Sequence, residues 1–139
     1  MAGHKFELRA DFRYGGNDNR IERIDAEVLT GDGWQSLQIG NDSPGFLIFV
    51  YAFLICQHTY FHANSGESGL LLKQAKLELS LHTGEDWLID QVSVDINAEL
   101  RAGEADAGSI DYIKQRMRLC PVSINLKEPE DYRINLEFG

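Results

Sequence analysis

Between Lys5 and Tyr14 the chain alternates without a slip. Phe6, Leu8, Ala10, Phe12 and Tyr14 fall on one face, and Lys5, Glu7, Arg9, Asp11 and Arg13 on the other. A period of two belongs to a strand with one buried and one solvated face. The cluster Gly15-Gly16-Asn17-Asp18-Asn19 interrupts it as a turn, so Arg20 to Thr30 is predicted to return as a second strand. Gly31-Asp32-Gly33 turns the chain again into a short strand through Trp34, Leu37 and Ile39. Further on, Ala75, Leu77, Leu79 and Leu81 mark a strand within Leu70 to His82. After the turn Thr83-Gly84-Glu85-Asp86, Val92, Val94, Ile96, Ala98 and Leu100 mark the next one. Ile110, Ile113 and Met117 have helical spacing, and Tyr132, Ile134, Leu136 and Phe138 predict a closing strand. The order is three strands, a long helix, two strands, a short helix and a strand, which is an α+β arrangement with antiparallel sheets in a single domain spanning 1–139.

The long helix is the segment that breaks every alternation. From Ser43 to Gly66 there is no Asp, Glu, Lys or Arg, and Phe46 to Cys56 reads FLIFVYAFLIC. Ser43 is the expected cap and Pro44 the expected first helical residue of a helix running to Ala63. The strongly apolar part, 11 residues, is too short to span a bilayer and is followed by the polar run QHTYFHANS. A helix apolar all round is instead expected in a core or between subunits. A domain of 139 residues has little interior for it, which points to an obligate homodimer.

Composition narrows the setting. Thirteen basic residues against 22 acidic ones give a net charge of −9, which argues against nucleic acid or an anionic membrane as partner. With two cysteines and an N-terminus that enters a strand pattern directly, the expectation is a cytoplasmic protein rather than a disulfide-stapled secreted one. His58 and His62 have the helical spacing of a metal pair, but no third ligand accompanies them and no metal site is expected.

The cysteines carry the candidate chemistry. In Cys120-Pro121-Val122-Ser123, Pro121 suits the first position of a helix and leaves Cys120 at or near its cap. A thiolate is favoured there, and Arg116 and Arg118 lie close in sequence; a structural thiol beside a helix start fits equally well. Cys56 sits late in the apolar helix with Phe49, Ala52, Phe53 and Tyr60 at helical spacings from it, a position that by itself reads as core packing.

Taken together, these features resemble the OsmC/Ohr family, the osmotically inducible and organic hydroperoxide resistance proteins. An apolar helix opened by a proline and carrying Cys56, a late Cys-Pro-Val-Ser beginning at Cys120, a separation of 64 positions and the element order all match over nearly the whole chain. The resemblance implies an intertwined homodimer with the long helices buried centrally and thiol peroxidase activity toward small organic hydroperoxides. Cys56 would be the peroxidatic residue and Cys120 the resolving one, with an external dithiol as reductant and no metal or organic cofactor. Phe49, Phe53 and Tyr60 would line the substrate pocket. Strongly active members have an arginine just after a Gly-Gly turn and a glutamate in the first turn of the long helix. Here Asn17 follows Gly15-Gly16, and Ser43-Pro44-Gly45-Phe46 contains no acid. Arg13 and Arg20 flank the turn and are the candidates for activating the thiolate. The second reading of the same resemblance is a catalytically weak dimer that serves as a stress-associated or apolar-ligand-binding protein.

Overall fold

A computed structural model describes residues 3–126 together with 131 and 133. The predicted closing strand from Tyr132 to Phe138 lies outside the described residues. Five strands form one antiparallel sheet: β1 (His4–Gly15), β2 (Arg20–Thr30), β3 (Gly33–Ser36), β4 (Leu71–Thr83) and β5 (Ile89–Ala102). Their order across the sheet is β3-β2-β1-β4-β5. Helix α1 (Gly45–Glu67) crosses back from the β3 edge to β4, and α2 (Ala107–Met117) and α3 (Pro121–Ile124) follow β5. The fold is α+β, and the described residues form one sheet where the sequence suggested more than one.

Strand alternation survives intact. Leu8, Ala10, Phe12 and Tyr14 of β1 and Ala75, Leu77, Leu79 and Leu81 of β4 are all buried on the face toward α1. The register pairs Leu8 with Leu79, Ala10 with Leu77 and Phe12 with Ala75, so apolar residues meet side by side. The other face is polar: Arg9 pairs with Glu27 at 2.7 Å and its guanidinium lies 4.1 Å from the Trp34 ring centre, while Gln74 donates to Asp11. The neighbouring strands continue the apolar face beyond what the helix covers. Ile24 and Val28 of β2 stand opposite Phe12 and Leu8, and Ile24 is 46% exposed.

Helix α1 starts and stops differently from expectation. Pro44 is the cap residue rather than the first helical one, and Ser43 does not cap the helix. Its hydroxyl accepts from the Gly40 amide at 2.9 Å, which holds the preceding turn instead. The helix also continues four residues past Ala63 to Glu67, because Asn64 and Ser65 are buried against the sheet and keep their place in it. Only one side of α1 is covered in the protomer. Val50, Phe53, Leu54, Gln57, His58 and Phe61 are buried, whereas Ile48, Phe49, Ala52, Thr59 and Ala63 are exposed. By length and composition α1 could cross a membrane, with a mean hydropathy of 1.4 in its most apolar window. Its buried polar residues Gln57, His58 and Asn64 are instead committed to contacts within the fold.

Asn19 ties the two halves of the sheet together. It is 3% exposed and adopts a left-handed φ of 54°, a conformation asparagine tolerates better than most residues. Its amide donates to the Leu70 carbonyl at 2.8 Å and its side-chain oxygen accepts from the Leu72 amide at 2.8 Å. The β1–β2 turn is thereby clamped to the start of β4. Replacing Asn19 with alanine strands both buried backbone groups and strains the turn. It is expected to cost roughly 2–4 kcal/mol of stability, read as the shift in a urea unfolding midpoint.

Candidate functional site

The two cysteines come from distant elements and lie near one another. Cys56 occupies the fourth turn of α1, on the border between its covered and open sides, and is half-buried. Cys120 caps α3 and is fully buried. The Cys120 side chain is near enough to Cys56 to shift its thiol, and both are free thiols. Pro121 takes the first helical position as the sequence suggested. Helix α3 is a single turn, too short for a substantial dipole, so specific N–H groups hold the sulfur instead.

Two of them converge on Cys120. The Ser123 amide lies 3.3 Å from its Sγ and Gln57 Nε2 lies 3.1 Å from it. The same Gln57 nitrogen donates to the Met117 carbonyl at 2.9 Å. A carbonyl can only accept, so Met117 fixes which end of the Gln57 amide faces α2 and presents the second N–H to the sulfur. Gln57 was not singled out from the sequence. The available signal was its place four residues after Phe53 and seven after Val50, on the buried stripe of an apolar helix.

Around Cys56 the net electrostatic effect favours the neutral thiol. Partial burial pushes its thiol upward, the neighbouring Cys120 adds to the rise, and the Val122 backbone N–H opposes it. No arginine acts on it. Arg13 projects from the face of β1 opposite Phe12 and Tyr14, so the sheet separates it from α1. Arg20 is exposed and bound to Glu22 at 2.9 Å, which raises its already high pKa. At the Gly15-Gly16 turn the cation is Arg101, which donates to the Gly16 and Leu72 carbonyls at 2.6 and 2.8 Å. The predicted pocket residues separate: Phe53 is buried inside, Phe49 is on the open side of α1 stacked on Phe46, and Tyr60 is half-buried.

The histidines form a second polar cluster beneath α1. His58 stacks on Phe12 with ring centres 3.6 Å apart and shares a 2.6 Å hydrogen bond with the Tyr14 hydroxyl. His62 Nε2 donates to the Asn19 carbonyl. Among the described residues no group of three potential metal ligands occurs. Burial, with a smaller push from His62, lowers the His58 pKa from 6.5 to about 3. Burial also drives the Tyr14 hydroxyl upward, so both groups are neutral near pH 7.

The folded state thus binds a proton at His58 less readily than the unfolded state. Stability is fully present above pH 6.5 and is lost as pH falls from there toward 3, at up to about 1.4 kcal/mol per unit. Between pH 6.5 and 5, before most carboxylates titrate, His58→Gln is expected to flatten the dependence of unfolding free energy on pH, as measured by denaturant titration.

No protein-family model matches the sequence, and no curated protein does. Among solved structures, an OsmC-like hydroperoxide resistance protein from Jannaschia sp. CCS1 matches with a TM-score of 0.64 at 11% identity, covering 97% of this chain and 95% of that one. At that identity the likeness speaks for architecture: the element order, the five-stranded antiparallel sheet and the long helix laid across it are those of the OsmC-like fold.

Proposed function

We propose that the protein is an OsmC/Ohr-type thiol peroxidase that reduces small organic hydroperoxides in the cytoplasm, with Cys56 peroxidatic and Cys120 resolving. The observation that carries this reading is the nearness of two free thiols from separate elements, one half-buried and one fully buried, close enough for one to shift the other. The more accessible sulfur is the one a hydroperoxide reaches first.

The Cys56 thiolate attacks the terminal oxygen of the hydroperoxide. The O–O bond breaks, the alkoxide takes up a proton and leaves as the alcohol, and Cys56 becomes a sulfenic acid. The Cys120 sulfur then attacks the Cys56 sulfur, and the hydroxyl leaves as water with the thiol proton. Gln57 and the Ser123 amide hold the Cys120 sulfur while this happens. An external dithiol returns the disulfide to two thiols by exchange.

The chain acts as a homodimer in this reading. Ile48, Phe49, Ala52, Thr59 and Ala63 form an uncovered stripe along α1 that includes Cys56, and the exposed apolar residues Ile21 and Ile24 of β2 lie beyond the helix. A second copy laid on this surface covers the helix and encloses the peroxidatic thiol. The second reading, a catalytically weak dimer that is stress-associated or binds an apolar ligand, is favoured by one specific feature. Burial raises the Cys56 thiol, and Asn17 and Phe46 stand where the family's most active members have an arginine and a glutamate.

Stopped-flow mixing of reduced protein with cumene hydroperoxide separates the two. Peroxidase activity requires loss of both thiols and recovery of a Cys56–Cys120 disulfide. Cys56→Ser is expected to lower the rate at least 100-fold, while Cys120→Ser consumes one equivalent and leaves a sulfenic acid trapped by dimedone. Because only the thiolate reacts and the Cys56 pKa is raised, the rate should climb with pH through neutrality, up to tenfold per unit. A rate equal to that of free cysteine overturns the enzyme reading and leaves the weak dimer. Light scattering should give twice the 15.7 kDa chain mass, reduced to one chain by Ile48→Glu.

A further inference from the structure

A thiol cycle closes when an external thiol attacks one sulfur of a Cys56–Cys120 disulfide, and the two sulfurs differ in access. Cys56 is half-buried at the border of the open side of α1, whereas Cys120 is fully buried. The apolar groove of about 650 Å³ between α2 and β5 gives no second route to it. Gln57 and Ser123, which both bond to the Cys120 sulfur, line that groove, and Cys120 does not.

The sulfurs also differ in how well they leave. When a disulfide opens, the sulfur that is not attacked departs with the electron pair, and a better stabilised thiolate departs faster. Cys120 is met by two N–H groups from separate elements, Gln57 Nε2 at 3.1 Å and the Ser123 amide at 3.3 Å. Hydrogen bonds to an ionised acceptor are stronger than those to a neutral one, so both strengthen as charge develops on this sulfur. The Gln57 amide needs no reorientation, because the Met117 carbonyl at 2.9 Å from the same nitrogen already fixes it. At Cys56 the Val122 N–H works in the same direction, but burial and the neighbouring Cys120 outweigh it. Cys56 is thus the accessible sulfur and the poorer leaving group, and Cys120 the inaccessible sulfur and the better one.

We propose that the external dithiol attacks Cys56, with Cys120 as the leaving sulfur, and that Gln57 is the positioning residue for this reductive half of the cycle. The inference rests on the peroxidase reading and deepens it. One thiolate of the dithiol bonds to the Cys56 sulfur, the Cys56–Cys120 bond breaks, and its electron pair goes to Cys120, which takes up a proton. The second sulfur of the dithiol then displaces Cys56 from the mixed disulfide. The reductant ends as its own disulfide, and two electrons and two protons have passed to the two cysteines. Gln57 acts through the Cys120 sulfur, while the exchange itself runs on the Cys56 side.

The disulfide is prepared with diamide, so no hydroperoxide chemistry enters the test. Glutathione is added to the oxidised wild-type chain, and the mixture is quenched early with acid and labelled with N-ethylmaleimide. Mass spectrometry is expected to find the glutathione adduct on Cys56 and the maleimide on Cys120. Reduction by dithiothreitol should be about tenfold slower in Gln57→Leu, as loss of one hydrogen bond to a charged sulfur allows. In Gln57→Glu the deficit should widen as pH rises and the introduced carboxyl ionises beside the departing charge. A purely structural effect would keep a constant ratio to wild type. Far-UV circular dichroism checks folding; where a variant is unfolded, the other variant and the position of the adduct decide. An adduct on Cys120, a Gln57→Leu rate equal to wild type, or a pH-independent ratio for Gln57→Glu overturns the proposal. So does failure of diamide to form the disulfide. A chain that passes these tests yet leaves cumene hydroperoxide unconsumed loses the peroxidase reading and keeps the assignment of the two sulfurs.

Discussion

Helix α1 presents apolar side chains around its whole circumference, and the sheet of its own protomer can cover only one side of them. Much of the molecule follows from that mismatch. The covered side must bury Gln57, His58, Asn64 and Ser65 along with Val50, Phe53, Leu54 and Phe61, so polar groups in it need partners inside the fold. His58 finds Tyr14, Gln57 finds Met117 and Cys120, and Asn64 donates to the Tyr60 carbonyl. Ser65 finds none. The open side bears no charge, a costly surface for a lone protomer in water and a natural one for an interface.

The polar groups under α1 also lock the helix in rotation and along its axis. Phe12 and Tyr14 hold His58 from β1, His62 reaches the turn through Asn19, and Asn19 in turn holds the backbone of β4. A one-residue slip of β1 would turn Phe12 and Tyr14 to the solvent and leave these groups unpaired, so the alternating pattern and the hydrogen bonds specify the same register. With α1 held this way, Cys56 stands at the border of the covered side and Gln57 points toward α2.

The site is therefore a by-product of helix placement as much as of the cysteines themselves. A thiol near an apolar surface is driven toward its neutral form, and a charged neighbour would be needed to reverse that. The cations around the Gly15-Gly16 turn are engaged elsewhere or face away: Arg20 with Glu22, Arg101 with two carbonyls, Arg13 on the solvated face of the sheet. Sequence neighbourhood had suggested Arg13 and Arg20 because both flank the Gly15-Gly16 turn. The alternation that put Arg13 opposite Phe12 and Tyr14 already carried the contrary information.

Strand and helix positions were legible in the sequence because they rest on local periods. β2 spans the predicted Arg20 to Thr30, the buried faces of β1 and β4 are the predicted ones, and Pro121 with Cys120 at the cap is a matter of adjacent residues. An uncharged helix too apolar for one small domain was equally plain. Helix ends were less so, since Ser43 could serve a turn or a cap with the same hydroxyl, and Asn64 and Ser65 break helices only when no core holds them. What the tertiary structure alone decided is who meets whom. The nearness of Cys56 to Cys120, the Gln57 amide on the sulfur, the Asn19 clamp and the burial of Ser65 depend on strand register, on the crossover of α1 and on its rotation. Those are set by the packing of the whole chain at once, and no local pattern encodes them.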